Sequence, residues 1–217
     1  MGKTALLIGA TGLVGGCVLK QLLEDKDFTE VTVLTRKALG VHDPKLKEVL
    51  VNFDELEKYT NEIKGEVVFC CLGTTIGVAG SQQAFRKVDY EYPKRVGEIA
   101  KENGSKAYLL ISALGSSKSS IIFYNRVKAE TEEAIAQLHY EAFHILQPSL
   151  ILGNREETRI GEGIARAAAP VIDVLMVGPF NKYKSIKAEQ IAKAMIHYSK
   201  LDMKGIFRHE SNELQKV

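Results

Sequence analysis

The glycine triplet near the start of the chain is the feature that most constrains its fold. Residues 4–9, "TALLIG", form an apolar run, and Gly9-Ala-Thr-Gly12-Leu-Val-Gly15 follows it and opens an amphipathic segment. A strand–loop–helix unit of this kind provides a tight turn, a bare backbone and free helix N-terminal amides, which together can hold a pyrophosphate. The spacing differs by one residue from Gly-x-Gly-x-x-Gly. A purely structural turn is the alternative. The predicted phosphate-binding residues are Gly9, Thr11, Gly12, Leu13, Val14 and Gly15.

Short apolar runs alternate with longer amphipathic segments as far as Pro148. The runs are rich in Val, Ile, Leu and Phe, which is typical of strands buried on both faces. This alternation predicts an α/β fold, a doubly wound parallel sheet of the Rossmann type. Strands are expected at 4–9, 30–35, 46–51, 66–73, 106–112 and 142–148, and helices at 13–26, 54–63, 81–103 and 121–138.

The pattern loosens after Pro148. A helix candidate lies at 160–177, a clear helical pattern at 188–201 and a last strand at 205–210. We predict one NAD(P)-binding domain over 1–217, in which 149–187 and the C-terminal helix form a small cap on the substrate side.

Composition narrows the classes of partner. The 217 residues are 45% hydrophobic and 26% charged, with a formal net charge of +2. These values are those of an ordinary soluble globular protein, and they argue against nucleic acid as the primary partner. The chain enters a strand within a few residues of its start, which leaves no room for a signal peptide, and no apolar stretch reads as a membrane span. Three cysteines and five scattered histidines show no metal-ligand spacing. We expect a cytoplasmic protein with a small-molecule ligand and no bound metal, and a protein partner or a homodimer remains open.

The end of the second strand bears on the choice of cofactor. An acid there would bind the ribose of NAD, whereas a base suits the 2′-phosphate of NADP. The chain has Thr35, Arg36 and Lys37 and no acid, and a guanidinium binds phosphate bidentately. NADP(H) is therefore favoured, and NAD stays open. Asp54 is placed to meet the adenine amino group or to cap a helix. The loop after the fourth strand, with Leu72, Gly73 and Thr74, would pass under the nicotinamide.

Three tyrosines precede a lysine by four residues: Tyr90/Lys94, Tyr124/Lys128 and Tyr183/Lys187. Only Tyr124/Lys128 lies on a predicted helix that follows the fifth strand, so both side chains share one face near the carboxyl ends of the strands. A lysine ammonium lowers the pKa of a tyrosine from about 10 toward neutral pH. Tyr124 could then exchange a proton, Ser112 could hold a substrate oxygen, and Lys128 could also bind the nicotinamide ribose.

These motifs resemble the atypical short-chain dehydrogenases/reductases, in the Tat-interacting-protein-like branch. The resemblance extends to the segments "VVFCCLGTT", "AFRKVDYEYP", "FYNRVKAE" and "LQPSLILG". The resemblance implies a Rossmann fold that binds NADP(H) at the glycine loop. It also places Asp89 where much of the superfamily has the asparagine of a proton relay, and Gln147 where relatives often have arginine.

Three functions follow from the residues and the resemblance together. The first is an NADP(H)-dependent oxidoreductase that acts on a small carbonyl or hydroxyl compound, with Tyr124 as general acid/base. The second is a catalytically weak, NADP(H)-sensing regulator that binds a protein partner. The third is an epimerase or dehydratase that retains its cofactor.

Overall fold

The computed structural model of the protein describes residues 2–153 and 183–217. A parallel seven-stranded sheet has the order β3-β2-β1-β4-β5-β6-β9, and a separate parallel pair joins β7 to β8. The sheet confirms the predicted doubly wound α/β fold. The strands of the described residues are β1 (Lys3–Ile8), β2 (Phe28–Thr35), β3 (Leu46–Leu50), β4 (Val67–Cys70), β5 (Ala107–Ile111), β6 (Ala142–Gln147), β7 (Ile151–Leu152), β8 (Ile186–Lys187) and β9 (Gly205–Glu210).

Helices cover both faces of this sheet. A 3₁₀ helix spans Phe53–Tyr59 and a π-helical turn spans Lys87–Glu91. The α-helices of the described residues are α1 (Leu13–Glu24), α2 (Ile76–Ala79), α3 (Gln82–Arg86), α4 (Tyr92–Glu102), α5 (Phe123–Ala136), α6 (Ala188–Lys200) and α7 (Ser211–Leu214).

The strands send alternate side chains to two separate cores, as the period of two requires. Leu7 packs with α1 and α6 on one face, whereas its neighbours Leu6 and Ile8 pack with α4 and α5 on the other. Cys70 and Cys71 divide in the same way. The strands are therefore buried on both faces, which is why they read as continuous apolar runs.

The C-terminal helix differs from expectation. We predicted it in the substrate-side cap, but Ile191, Ala192 and Met195 of α6 are buried in the core that α6 shares with α1. The apolar face of α6 needs a large partner surface, and the sheet and α1 provide it. Strand β9 extends the same sheet beside β6. Of the predicted cap, 149–153 and 183–187 contribute only the short β7–β8 pair, and the helix candidate at 160–177 lies outside the described residues.

The predicted helix at 81–103 is divided in three. α3 ends at Arg86, the π-helical turn follows, and α4 begins at Tyr92 with Pro93 in its first turn. A proline is tolerated there because the first helical amides have no intrahelical partner. The π turn inserts an extra residue into the helical repeat, and such turns are rare and frequently mark functional positions.

A buried histidine pair lies between β6 and β9. His144 Nδ1 is 3.0 Å from His209 Nε2, and the ring of Tyr198 stacks on His209 with centroids 3.8 Å apart. His209 Nδ1 lies 3.5 Å from a carboxylate oxygen of Glu213. Burial first, and His209 second, lower the pKa of His144 from 6.5 to about 4. The native state therefore holds His144 neutral.

This pair makes stability depend on pH. As the pH falls from 6.5 to about 4, the unfolded chain binds a proton that native His144 does not accept, so the free energy of unfolding decreases. His144→Phe keeps a ring in the stack and removes this titration. Over that pH range the variant should lose about 3 kcal/mol less stability than the wild type, measured by urea unfolding at a series of pH values. The exposed His42→Phe serves as the control and should keep the wild-type slope; equal slopes in all three proteins would refute the assignment.

Candidate active site

The glycine loop lies where the strand order reverses, between the carboxyl ends of β1 and β4. Gly9 has φ of 87°, and a Cβ there would lie 2.5 Å from the backbone of Cys71. A Cβ on Gly15 would lie 2.0 Å from the Gly9 carbonyl oxygen. Both positions therefore require glycine, the first for its turn and the second for the close approach of α1 to the loop.

The start of α1 is open to an anion. Gly12 is the N-cap residue, and no side chain caps the helix. Its first amides, which include those of Leu13 and Val14, have no intrahelical acceptor, and the helix dipole is positive at this end. The bare loop and the uncapped helix fit a dinucleotide pyrophosphate, with Thr11 inside the same loop.

A cleft leads from the glycine loop to the end of β2. Thr35, Arg36, Leu72, Phe53 and Tyr92 line it, and the rings of Phe53 and Tyr92 lie 5.2 Å apart. Arg36 and Lys37 are exposed, and neither forms an ion pair with a residue that the structure describes. This end of the cleft combines two aromatic rings with one cation, Arg36, and Lys37 is the next residue in the chain.

Asp54 lies beside the cleft with its carboxylate already bound. Lys87 Nζ is 2.7 Å from its Oδ1, and Tyr92 donates a hydrogen bond of 2.5 Å to the same oxygen. These two partners lower the pKa of Asp54. The side chain of Asn52, rather than Asp54, caps the 3₁₀ helix. Helix capping was one of the two roles expected for Asp54, and Asn52 performs it instead.

The second polar centre is a buried ion pair. Lys128 Nζ lies 2.8 Å from Asp89 Oδ1, and both side chains are at most 5% exposed. Thr74 N donates to Asp89 Oδ2 at 2.9 Å. Gly73 is so close that a Cβ there would lie 3.6 Å from both Asp89 Oδ1 and Lys128 Nζ. The loop after β4, the π-helical turn and α5 thus meet at one charged pair.

Tyr124 lies one turn before Lys128 on α5. Lys128 Nζ is 5.9 Å from the centroid of the tyrosine ring, and the ring packs against Phe85 at 5.5 Å. Burial lowers the pKa of Lys128, but the carboxylate of Asp89, followed by Tyr124, outweighs it and raises that pKa above its ordinary value. Lys128 is therefore a permanent cation.

The other two tyrosine–lysine pairs have different surroundings. Tyr90 lies in the π-helical turn under the guanidinium of Arg86, and Lys94 pairs with Glu98 on the surface of α4. Tyr183 is about half exposed and precedes Lys187 of β8, so the spacing of four does not put them on one helix face. Among the three pairs, only Tyr124/Lys128 joins a buried lysine to the loop after β4.

Ser112 follows β5 directly and is buried. Its Oγ lies 2.5 Å from Glu132 Oε1, and Gln147 Nε2 donates to the same carboxylate oxygen at 2.9 Å. Glu132 was not among the predicted site residues. Its position four residues after Lys128 continues the Tyr124–Lys128 face of α5, and this spacing was the signal that could have identified it.

Comparison with known proteins agrees with this geometry. Residues 9–151 match the model of a family described as NAD(P)H-binding. This chain belongs to that family. Its expected resemblance to the atypical short-chain dehydrogenases/reductases is confirmed by its relatives. The rat protein HTATIP2 is 35% identical over 168 residues, which are 76% of this chain and 69% of that protein. The protein FMP52 of Candida albicans, named as mitochondrial, is 30% identical over 209 residues, 93% of this chain and 90% of that one.

Solved structures share the fold of this NAD(P)H-binding protein. MoeE5 in complex with UDP-glucuronic acid and NAD superposes with a TM-score of 0.73 at 13% identity, over 94% of this chain and 75% of that one. The UDP-Glc/GlcNAc 4-epimerase from Campylobacter jejuni gives 0.71 at 13% identity, over 99% and 82%. At this identity the likeness concerns the fold alone. Within the described residues, no helix is both long and apolar enough to cross a membrane.

The glycine loop can be tested by adding one methyl group. Gly15→Ala places a Cβ 2.0 Å from the Gly9 carbonyl oxygen, so α1 must move away from the loop. We expect NADPH affinity to fall by at least about tenfold, measured by fluorescence titration. Gly16→Ala is the matched control, because its Cβ would meet Ala10 at an ordinary 3.5 Å. Equal affinities in the two variants would contradict phosphate binding at this loop.

Proposed function

We propose that the protein is an NADP(H)-dependent oxidoreductase that acts on a small carbonyl or hydroxyl compound, with Tyr124 as the general acid/base. The observation that carries the proposal is the convergence of Tyr124, the buried Lys128–Asp89 pair and the Gly73–Thr74 loop. This convergence lies at the carboxyl edge of a sheet whose glycine loop fits a dinucleotide. Ligands of open α/β sheets bind in such a crevice.

The chain's own residues supply binding and proton transfer. The amides at the start of α1 would hold the pyrophosphate, and Arg36 with Lys37 would hold the ribose 2′-phosphate. Leu72, Gly73 and Thr74 would line the nicotinamide side, and Lys128 would bind the adjacent ribose. When bound, the cofactor supplies or accepts a hydride. In the reducing direction Tyr124 would donate its phenolic proton to the carbonyl oxygen of the substrate, and the positive charge of Lys128 would stabilise the phenolate that is left.

Asp89 gives a specific reason to consider a second function. Its carboxylate lies 2.8 Å from Lys128 Nζ, so part of the field of the lysine is cancelled before it reaches Tyr124. A nucleotide-sensing role, in which NADP(H) changes contacts with a partner protein, requires no proton transfer and tolerates this cancellation. Epimerisation or dehydration with retained cofactor has the same fold requirements but no observation of its own in the described residues.

The expected location remains a prediction. Cys17, Cys70 and Cys71 are free thiols, which suits a reducing compartment. We propose a cytoplasmic location, and the mitochondrial name of the relative FMP52 gives the alternative.

Removal of a single oxygen tests the acid/base role. Tyr124→Phe should lower kcat by at least about a hundredfold on any carbonyl compound that the wild type reduces. NADPH affinity should stay within about twofold, because the ring and Lys128 remain. Tyr90→Phe is the matched control, since it deletes the same atom from a tyrosine with the same spacing to a lysine. Undiminished turnover by Tyr124→Phe would remove Tyr124 from the mechanism. A wild type that binds NADPH but reduces no carbonyl in a broad panel would favour the sensing role.

Cofactor preference can be tested at the end of β2. Arg36→Ala should weaken NADPH binding about tenfold, the effect of losing a charge-assisted phosphate contact, and should change NADH binding by less than about twofold. Lys47→Ala, an exposed lysine on β3, removes the same charge away from the cleft. An equal loss of both cofactors in Arg36→Ala would argue against a 2′-phosphate contact.

A further inference from the structure

Two consecutive isoleucines are exposed directly before the proposed general acid. Ile121 is 95% exposed and Ile122 is 56% exposed. Ile122 is the N-cap residue of α5, and Tyr124 is the second residue of that helix. A single exposed apolar side chain is common on protein surfaces, whereas adjacent ones in a group indicate a surface that binds an apolar partner.

Hydrogen bonds hold the segment that presents these isoleucines. One Nη of Arg126 donates to the carbonyl oxygens of Ser120 and Ile121, at 2.9 Å each. The amide of Ile122 donates to Ser120 Oγ at 3.1 Å. The backbone of this segment is thus tied to the first turn of α5, so both isoleucines have a defined position in the chain segment that leads into Tyr124.

Further apolar side chains are exposed at the same edge of the sheet. Ile76 and Val78 of α2 are 38% and 61% exposed. Helix α2 follows β4, whereas residues 121–122 follow β5, the neighbour of β4 in the sheet. Phe85 of α3, the helix after α2, packs against the ring of Tyr124 at 5.5 Å. Because the carboxyl ends of neighbouring parallel strands meet at one edge, both sets lie where the substrate crevice is expected. The apolar rim of this edge consists of Ile76, Val78, Ile121 and Ile122.

The charges beside the two isoleucines do not favour a membrane surface as the partner. Binding to an anionic bilayer uses lysine and arginine side chains that can reach the lipid headgroups. Lys118 is instead paired with Glu133, and Arg126 is bound to backbone carbonyl oxygens. The position of the rim next to Tyr124 favours a molecule that occupies the crevice itself.

We propose that the apolar rim binds the hydrocarbon tail of the substrate whose carbonyl group is reduced at Tyr124. This inference rests on the proposed oxidoreductase function and names the class of substrate for it. The expected substrates are aldehydes or ketones with an extended alkyl chain. Each methylene group that leaves water for an apolar surface adds a similar favourable increment, so catalytic efficiency should rise with the length of the chain.

A series of straight-chain aldehydes from propanal to octanal provides the test, with NADPH as the donor. Complete burial of a methylene group would raise kcat/KM about fourfold. The rim is open to water on one side, so we expect about twofold for each methylene. The chain-length ratio, which is kcat/KM for octanal divided by kcat/KM for propanal, should then be about thirtyfold in the wild type.

Substitution in the rim should lower the chain-length ratio. A variant with Ile121→Ser and Ile122→Ser should lose at least about fivefold of it, and serine is a favoured N-cap residue, so the start of α5 is not weakened. Leucine at the same two positions keeps the apolar surface and should keep the ratio within about twofold of the wild type. Val78→Thr preserves the shape of the side chain and should lower the ratio about twofold, which tests the α2 side independently. Ile206→Ser, on β9 and 49% exposed, is the matched control and should keep the wild-type ratio.

The outcomes separate this inference from the proposed function. A wild type that reduces propanal and octanal with equal efficiency, or that reduces other carbonyls but no straight-chain aldehyde, would overturn the binding of a tail. So would a double serine variant that keeps the chain-length ratio. If that variant keeps the ratio but loses binding to phosphatidylglycerol vesicles, or changes in molar mass by light scattering, the rim faces a membrane or a second copy of the chain instead. Undiminished turnover by Tyr124→Phe, or no turnover of any carbonyl by the wild type, would overturn the proposed function, and this inference with it.

Discussion

The buried Asp89–Lys128 ion pair is the interaction on which the site depends. An isolated charge at this depth would cost several kcal/mol, so neither residue can be buried without the other. The pair also needs further donors, and Thr74 N supplies one to the second carboxylate oxygen. The π-helical turn brings Asp89 into the interior, and Thr131 of α5 donates to its carbonyl oxygen at 2.8 Å. One ion pair therefore fixes three segments relative to one another: the loop after β4, the π-helical turn and α5.

Helix α5 carries three polar side chains of the site on one face. Tyr124, Lys128 and Glu132 follow one another at intervals of four residues, so they form a single stripe along the helix. Lys128 is held by Asp89 and Glu132 by Ser112, which fixes the rotation of the helix at two successive turns. Tyr124, one turn nearer the N-terminus, is thereby held at the crevice without a hydrogen bond of its own to any residue that the structure describes.

The features that could be predicted from the sequence follow from local apolar patterns. The features that could not be predicted leave no such pattern. Strands such as "VVFCC" could be predicted because burial on both faces leaves a continuous apolar run, and even the opposite directions of Cys70 and Cys71 follow from the period of two. The π-helical turn could not be predicted, because one extra residue in a helix barely disturbs the apolar pattern of residues 81–103. The partner of Asp54 is Lys87, 33 positions away in the chain, and no local pattern encodes such a contact. The predicted position of α6 was wrong for a similar reason. The apolar face of the helix predicts that it is buried, but does not specify the surface against which it packs.

Two buried acids near Lys128 have different partners. Asp89 is paired with the cation next to the tyrosine, so a change at Asp89 alters the electric field at the ring of Tyr124. Glu132 accepts hydrogen bonds from Ser112 and Gln147, and Arg208 Nε lies 3.7 Å from its other oxygen. The two carboxylates therefore hold α5 to different parts of the fold: Asp89 contacts the loop after β4, and Glu132 contacts residues at the ends of β5 and β6.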